Sequence, residues 1–129
     1  MILIVDDNSD TAELVVRLLR RGGLEAAHAS SAASAIELLH DCPPGDLPSL
    51  LILYVAMPAM NGIDCLRVIR AEPTWSALPV IMYTADFSGA RMQEAMRLGA
   101  AGYVLKGATS WDDFLAVIHK HNRGATAGA

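Results

Sequence analysis

The polar groups best suited to chemistry in this chain each stand at the end of an aliphatic run. Asp6 and Asp7 follow Ile2 to Val5, Tyr54 lies near the end of Leu50 to Val55, Thr84 ends Val80 to Thr84, and Lys106 follows Gly102 to Leu105. A pair of carboxylates, a phenol, a hydroxyl and an ammonium on one edge can hold a charged, hydrogen-bonding ligand. Each also has a plainer use. Asp6-Asp7 can cap the helix that follows, favoured by its dipole. Thr84 can simply end a strand, Lys106 can be solvated, and Tyr54 can fill apolar space with its hydroxyl bonded.

Other chemistries find little support. There is no glycine-rich phosphate loop, no Ser/His/Asp order and no nucleophilic cysteine beside a base. His119 and His121 are two apart on a helical stretch and face different directions, unlike ligands at i and i+4, while His28 and His40 are isolated. Arg17, Arg20 and Arg21 read as a solvated helix face. Cys42 and Cys65 sit in or beside apolar segments and read as reduced, packed thiols.

The elements that must position these groups alternate regularly. Ile2–Val5 has the unbroken aliphatic pattern of a strand buried on both faces. Asp7, Asn8 and Ser9 offer cap oxygens for a helix over 10–21, with Leu14, Val15, Leu18 and Leu19 at helical spacing, and Gly22-Gly23 ends it. A weak strand over 24–29, a helix over 32–41 and a strand over 50–55 follow. A helix carrying Ile63, Leu66 and Ile69, a strand over 80–84 and a helix over 88–98 with Ala95 and Met96 inward come next. The chain closes with a strand over 102–105 and a helix from about Ser110 with Trp111, Phe114, Leu115 and Ile118 at i, i+3, i+4 and i+7. Five strands alternating with five helices predict a parallel sheet covered on both faces, with ligands at the carboxyl edge of the strands.

The 129 residues suit one domain able to bury its own core, with a mean hydropathy of +0.32. A net charge of −4 argues against a sequence-independent grip on nucleic acid. No apolar run approaches membrane-span length, and the start lacks the basic region of a signal peptide, so the expectation is a cytoplasmic domain with no direct nucleic-acid or membrane contact.

Four segments carry a family resemblance. Ile-Leu-Ile-Val-Asp6-Asp7-Asn8, Leu-Ile-Leu-Tyr54-Val-Ala-Met-Pro58-Ala-Met-Asn-Gly62, Pro-Val-Ile-Met-Tyr-Thr84-Ala85 and Gly-Tyr103-Val-Leu-Lys106 together resemble the receiver domains of two-component response regulators. The resemblance spans Met1 to about His121, which makes 1–121 the receiver domain and 122–129 a linker or disordered tail. It implies a flavodoxin-like (βα)5 three-layer α/β sandwich with a parallel sheet in the order 2-1-3-4-5. It also implies a pocket that holds Mg²⁺ and accepts a phosphoryl group on an aspartate. By position, Asp6 and Asp7 match the acidic metal-holding pair, and the Ala56 carbonyl the backbone metal ligand. Tyr54 matches the acceptor, Thr84 and Lys106 the phosphoryl-binding hydroxyl and ammonium, and Thr84 with Tyr103 the switch pair.

Two residues depart from that pattern. Tyr54 stands where the family has aspartate, and Gly107 follows Lys106 where the family usually has proline in a cis peptide. A cis bond before a non-proline residue costs about 2.5–4 kcal/mol, so Lys106-Gly107 is expected to be trans. A phenol of pKa near 10 is ionised to about one part in a thousand at neutral pH, and its oxygen lies farther from the backbone than a carboxylate's. In-line attack on a phosphoryl donor is therefore not expected, and losing one of three carboxylates leaves Mg²⁺ binding weak or the site unoccupied. Lys106 is left to pair with the acidic residues, or Tyr54 fills the pocket and its hydroxyl meets Lys106, Thr84 or water.

The reading is thus a phosphorelay signalling module, not an enzyme, that works through protein contacts. Its expected partners are a histidine kinase, an output domain or a second receiver, on the face formed by the fourth helix, fifth strand and fifth helix. Trp111, Phe114 and the helix bearing Met92 and Met96 are candidate contact residues. The alternative is an ordinary Mg²⁺-dependent phosphoaccepting receiver in which Tyr54 is an engineered or recent substitution of the acceptor aspartate.

Overall fold

The computed structural model describes residues 1–85 and 89–122. Five strands, β1 (Ile2–Val5), β2 (Ala26–Ala29), β3 (Leu50–Tyr54), β4 (Val80–Thr84) and β5 (Gly102–Leu105), alternate with five helices. The helices are α1 (Ser9–Arg21), α2 (Ala32–Asp41), α3 (Gly62–Ala71), α4 (Gly89–Arg97) and α5 (Trp111–His121). All strand pairs are parallel, in the order β2-β1-β3-β4-β5, the flavodoxin-like arrangement.

The alternation of side chains along each strand divides the core between two faces. Leu3, Val5, Leu51, Leu53, Val80 and Met82 point to one face and pack under α2, α3 and α4. Ile2, Ile4, Leu50, Ile52, Ile81 and Val104 point to the other, under Val15, Val16 and Leu19 of α1 and Phe114 and Ile118 of α5. Strands with apolar residues on both sides can only sit inside such a sandwich, which is why β1 and β3 read as unbroken aliphatic runs.

Several local expectations change. The second strand begins at Ala26, two residues later than its apolar start suggests, because Leu24 serves the turn: Gly23 takes φ 86°, and the Leu24 N–H bonds back to the Leu19 carbonyl, so the first bond to β1 comes at the Glu25 carbonyl, which accepts the Ile2 N–H. Arg20 is not merely solvated, since its Nε and Nη2 both donate to the Ala26 carbonyl. Leu14 and Met96 face outward, 51% and 49% exposed, because the buried stripes of their helices run through Ala12, Val15, Val16, Leu19 and Ala95 instead. Asn122, expected in the tail, is a buried C-cap of α5. Residues 123–129, the rest of that tail, and Ser88, the expected start of the fourth helix, lie outside the described residues.

Candidate functional site

The carboxyl edge of the sheet is where the strands deliver their polar residues. Register pairing sets Val5 beside Leu53 and Tyr54 beside Tyr83, so the residues just beyond β1 and those ending β3 and β4 share one edge. Two backbone bonds carry the ladders past the strand ends. The Val55 N–H donates to the Tyr83 carbonyl at 3.2 Å, and the Lys106 N–H to the Thr84 carbonyl at 2.6 Å. The loop after β3 then folds back, with the Gly62 N–H on the Val55 carbonyl at 2.8 Å. Only glycine fits there, because a Cβ on Gly62 would run into the Tyr54 carbonyl and the Val55 Cα.

Asp6 is 1% exposed. Its Oδ1 accepts the Asn8 N–H at 2.9 Å, and its Oδ2 is buried with no hydrogen-bond partner. Neither acidic residue caps α1, since Asn8 accepts from the Thr11 N–H in that role. Burial pushes the Asp6 carboxyl above the usual carboxylate range; the Asn8 N–H and the Lys106 ammonium pull it back, and Asp7 raises it again. Asp7 itself is exposed.

Tyr54 is half-buried and packs against the core cluster on the α2–α3–α4 side. Lys106 does not reach for its hydroxyl. The ammonium sits over the rings, 4.8 Å from the Tyr54 centroid and 5.5 Å from that of Tyr83. Burial, then the charges of Asp6 and Asp7, raise the Tyr54 phenol above its ordinary value, which deepens its neutrality at physiological pH.

The aromatic contacts continue inward. Tyr54 meets Tyr83 edge-on at 6.3 Å, Tyr83 stacks on Phe114 at 5.0 Å, and Phe114 meets Trp111 edge-on at 5.8 Å. This run crosses from the edge of the sheet to α5. Phe114 is therefore a core residue, 5% exposed, and not the surface contact that the resemblance made it a candidate for, while Trp111 is half-buried.

The structure brings Asp6, Tyr54, Thr84 and Lys106 to one edge, with Thr84 buried. Tyr103 stands on β5 beside Met82 and is half-buried against the α2–α3–α4 cluster. Ala56 is exposed in the loop after β3. Lys106-Gly107 is trans, as expected, and Gly107 takes φ 84°. Met92 and Met96 are 44% and 49% exposed on α4. Cys65 is buried and Cys42 half-buried, both free thiols. Among the described residues, no group of three or more His, Cys, Asp or Glu side chains could hold a metal ion. No described helix is long and apolar enough to cross a membrane.

Two residues at this edge were not singled out by the sequence reading. Tyr83 precedes Thr84 within an apolar strand, and only its register with Tyr54 brings it to the site. His28 looked isolated, yet its Nε2 lies 2.8 Å from the Asp6 carbonyl oxygen, 22 residues away in the chain. No local pattern signals either one.

Comparison with known proteins points in one direction. A family model described as the response regulator receiver domain matches residues 2–118. The chemotaxis protein CheY of Pseudomonas aeruginosa is 39% identical over 106 residues, covering 81% of this chain and 82% of that protein. The DNA-binding response regulator MtrA of Mycolicibacterium smegmatis is 33% identical over 105 residues, but the match spans only 43% of its length. The crystal structure of a response regulator receiver protein from Pseudomonas putida superposes with a TM-score of 0.83 at 28% identity, covering 92% of this chain and 94% of that one.

Proposed function

Because the chain belongs to the family of response regulator receiver domains, the modules of two-component signalling, we propose that it is a receiver whose phosphoacceptor position is held by Tyr54 and which acts through protein contacts, not phosphorylation. The observation that carries this reading is the pairing of Tyr54 with Lys106. The ammonium that would meet an acceptor's phosphoryl group lies over a neutral phenol ring. A raised phenol pKa removes what little nucleophile Tyr54 has, and phosphoryl transfer depends on positioning and charge that the ring does not supply.

The donor set does not fit a resident Mg²⁺. Asp6 offers an unpartnered buried oxygen and Asp7 an exposed carboxylate, but the third carboxylate is absent and a cation already lies over the ring in its stead. On this reading no step passes through the metal, and the protein is a cytoplasmic binding module and not an enzyme. A histidine kinase, an output domain or a second receiver would meet it on α4, β5 and α5. The exposed Met92 and Met96 support that face, since methionine adapts to varied partners.

A second reading is favoured by what remains. Asp6, Asp7, Thr84 and Lys106 are all present, as they would be in an ordinary Mg²⁺-dependent acceptor in which only Tyr54 departs. Intact mass after incubation with Mg²⁺ and a small phosphodonor, beside Tyr54→Asp, tests both. Labelling of the aspartate variant alone means a sound pocket disabled at one residue. Labelling of the native chain at this edge overturns the proposal.

A further inference from the structure

We infer that His28 is a positioning residue for Asp6, fixing the carboxylate at the sheet edge through the Asp6 backbone. In a parallel ladder the edge strand supplies partners only as far as it runs. The Asp6 N–H finds the Ala29 carbonyl at 3.1 Å, but β2 ends at Ala29. The Asp6 carbonyl is met instead by a side chain, His28 Nε2 at 2.8 Å. A carbonyl only accepts, so Nε2 carries the proton and donates. The imidazole thus extends the ladder by one bond beyond the end of the strand.

That bond matters because Asp6 has few others. Its Oδ1 accepts the Asn8 N–H and its Oδ2 is buried without a hydrogen-bond partner, so the Asn8 amide is the backbone hydrogen bond that orients the carboxylate. With N–H and C=O both tied to β2, the Asp6 backbone is held and Oδ1 stays within reach of Asn8. His28 lies in the cleft between α1 and β2, lined also by Glu13, Arg17 and Arg20, so it approaches Asp6 from the side opposite β3. It touches no reacting group. Its role in phosphoryl chemistry rests on the receiver reading above; its hold on Asp6 does not.

The Asn8 amide reports the Asp6 carboxylate directly in the native chain. His28→Phe keeps a ring without the donor, while His28→Gln places an amide N–H at nearly the same reach. In His28→Phe the Asn8 amide is expected to lose protection from exchange by about three- to tenfold, the worth of one hydrogen bond, and His28→Gln to restore it. Should His28→Phe not fold, His28→Asn, which is too short to reach, takes its place in the same comparison. An unchanged Asn8 amide in the donor-free variant, whatever happens to Tm, overturns the inference; so does equal loss in His28→Gln. In a Tyr54→Asp background, labelling by the small phosphodonor with Mg²⁺ should slow by a similar factor in His28→Phe and recover in His28→Gln. If Tyr54→Asp takes no label at all, the receiver reading fails, and the Asn8 amide still decides the role of His28.

Discussion

The Lys106 ammonium lies 4.8 Å from the centroid of the Tyr54 ring, above its face and not at its hydroxyl. The attraction is that of a cation for the ring's negative face, worth about 0.5–1 kcal/mol where the site is partly wet. The hydroxyl contributes little to it. Tyr54→Phe should therefore keep the contact. A double-mutant cycle of Tyr54→Leu with Lys106→Met, read by urea unfolding, should return a coupling of about that size. Equal costs for Tyr54→Phe and Tyr54→Leu would show that the hydroxyl, not the ring, holds the lysine.

Asp6 sets a pH dependence whose sign can be worked out. Burial raises its folded-state pKa above the unfolded value, so its protonated form is favoured in the native chain. Its contribution to stability is then fully present below the unfolded pKa and lost as pH rises through the folded one. Asp6→Asn, which still accepts from the Asn8 N–H, should raise Tm at neutral pH. That advantage should shrink as pH falls through the Asp6 titration. A gain independent of pH would mean that burial of the charge is not its source.

Arg70 ties three segments together. Its Nε donates to the Leu98 carbonyl at 3.1 Å, Nη2 to that of Gly99 at 3.0 Å and Nη1 to that of Trp75 at 3.5 Å, joining α3 to the end of α4 and to the turn before β4. Arg70→Met should cost about 2 kcal/mol in chemical denaturation. Gly99 takes φ 86°, and a Cβ there would come within 3.2 Å of Arg70 Nε, so Gly99→Ala should cost about 1–2 kcal/mol. The two should not add, because removing the guanidinium relieves part of the second clash.

The two thiols should differ sharply. Burial pushes the Cys65 thiol up to about 12, while Cys42 is half-exposed. A disulfide-exchange reagent should titrate one thiol promptly in the native protein and the second only on unfolding. Cys42→Ala should abolish the prompt reaction.

The sheet was legible because β1 and β3 are aliphatic on both faces and glycine or proline marks most of the turns. The helix faces were less so. In α1 and α4 an apolar residue lies just outside the buried stripe, and spacing alone does not tell Leu14 from Val15 or Met96 from Ala95. At the site, residues at strand ends or just past them could be read directly, which covers Tyr54 and Thr84 in the first case and Asp6 and Lys106 in the second. Tyr83, His28 and Arg70 could not, because each acts on a partner that is distant in sequence and is joined to it only by strand register or helix packing. The tie between Lys106 and the ring face was missed for a different reason: the partners weighed for the ammonium were the acidic pair and the Tyr54 hydroxyl, whereas the negative face of a phenol ring attracts a cation as well.

The run of rings from Tyr54 through Tyr83 and Phe114 to Trp111 also has an optical consequence. Excited tyrosine gives up its energy to a nearby indole far more readily than to water, and Tyr83 stands only two ring contacts from Trp111. Part of the light absorbed by Tyr54 and Tyr83 should therefore emerge as Trp111 emission at the start of α5, beside that of the buried Trp75, and a change in how Lys106 sits on the phenols should alter the emission of a residue on another element. The domain carries its own lamp and its own detector, one at each end of the same aromatic row.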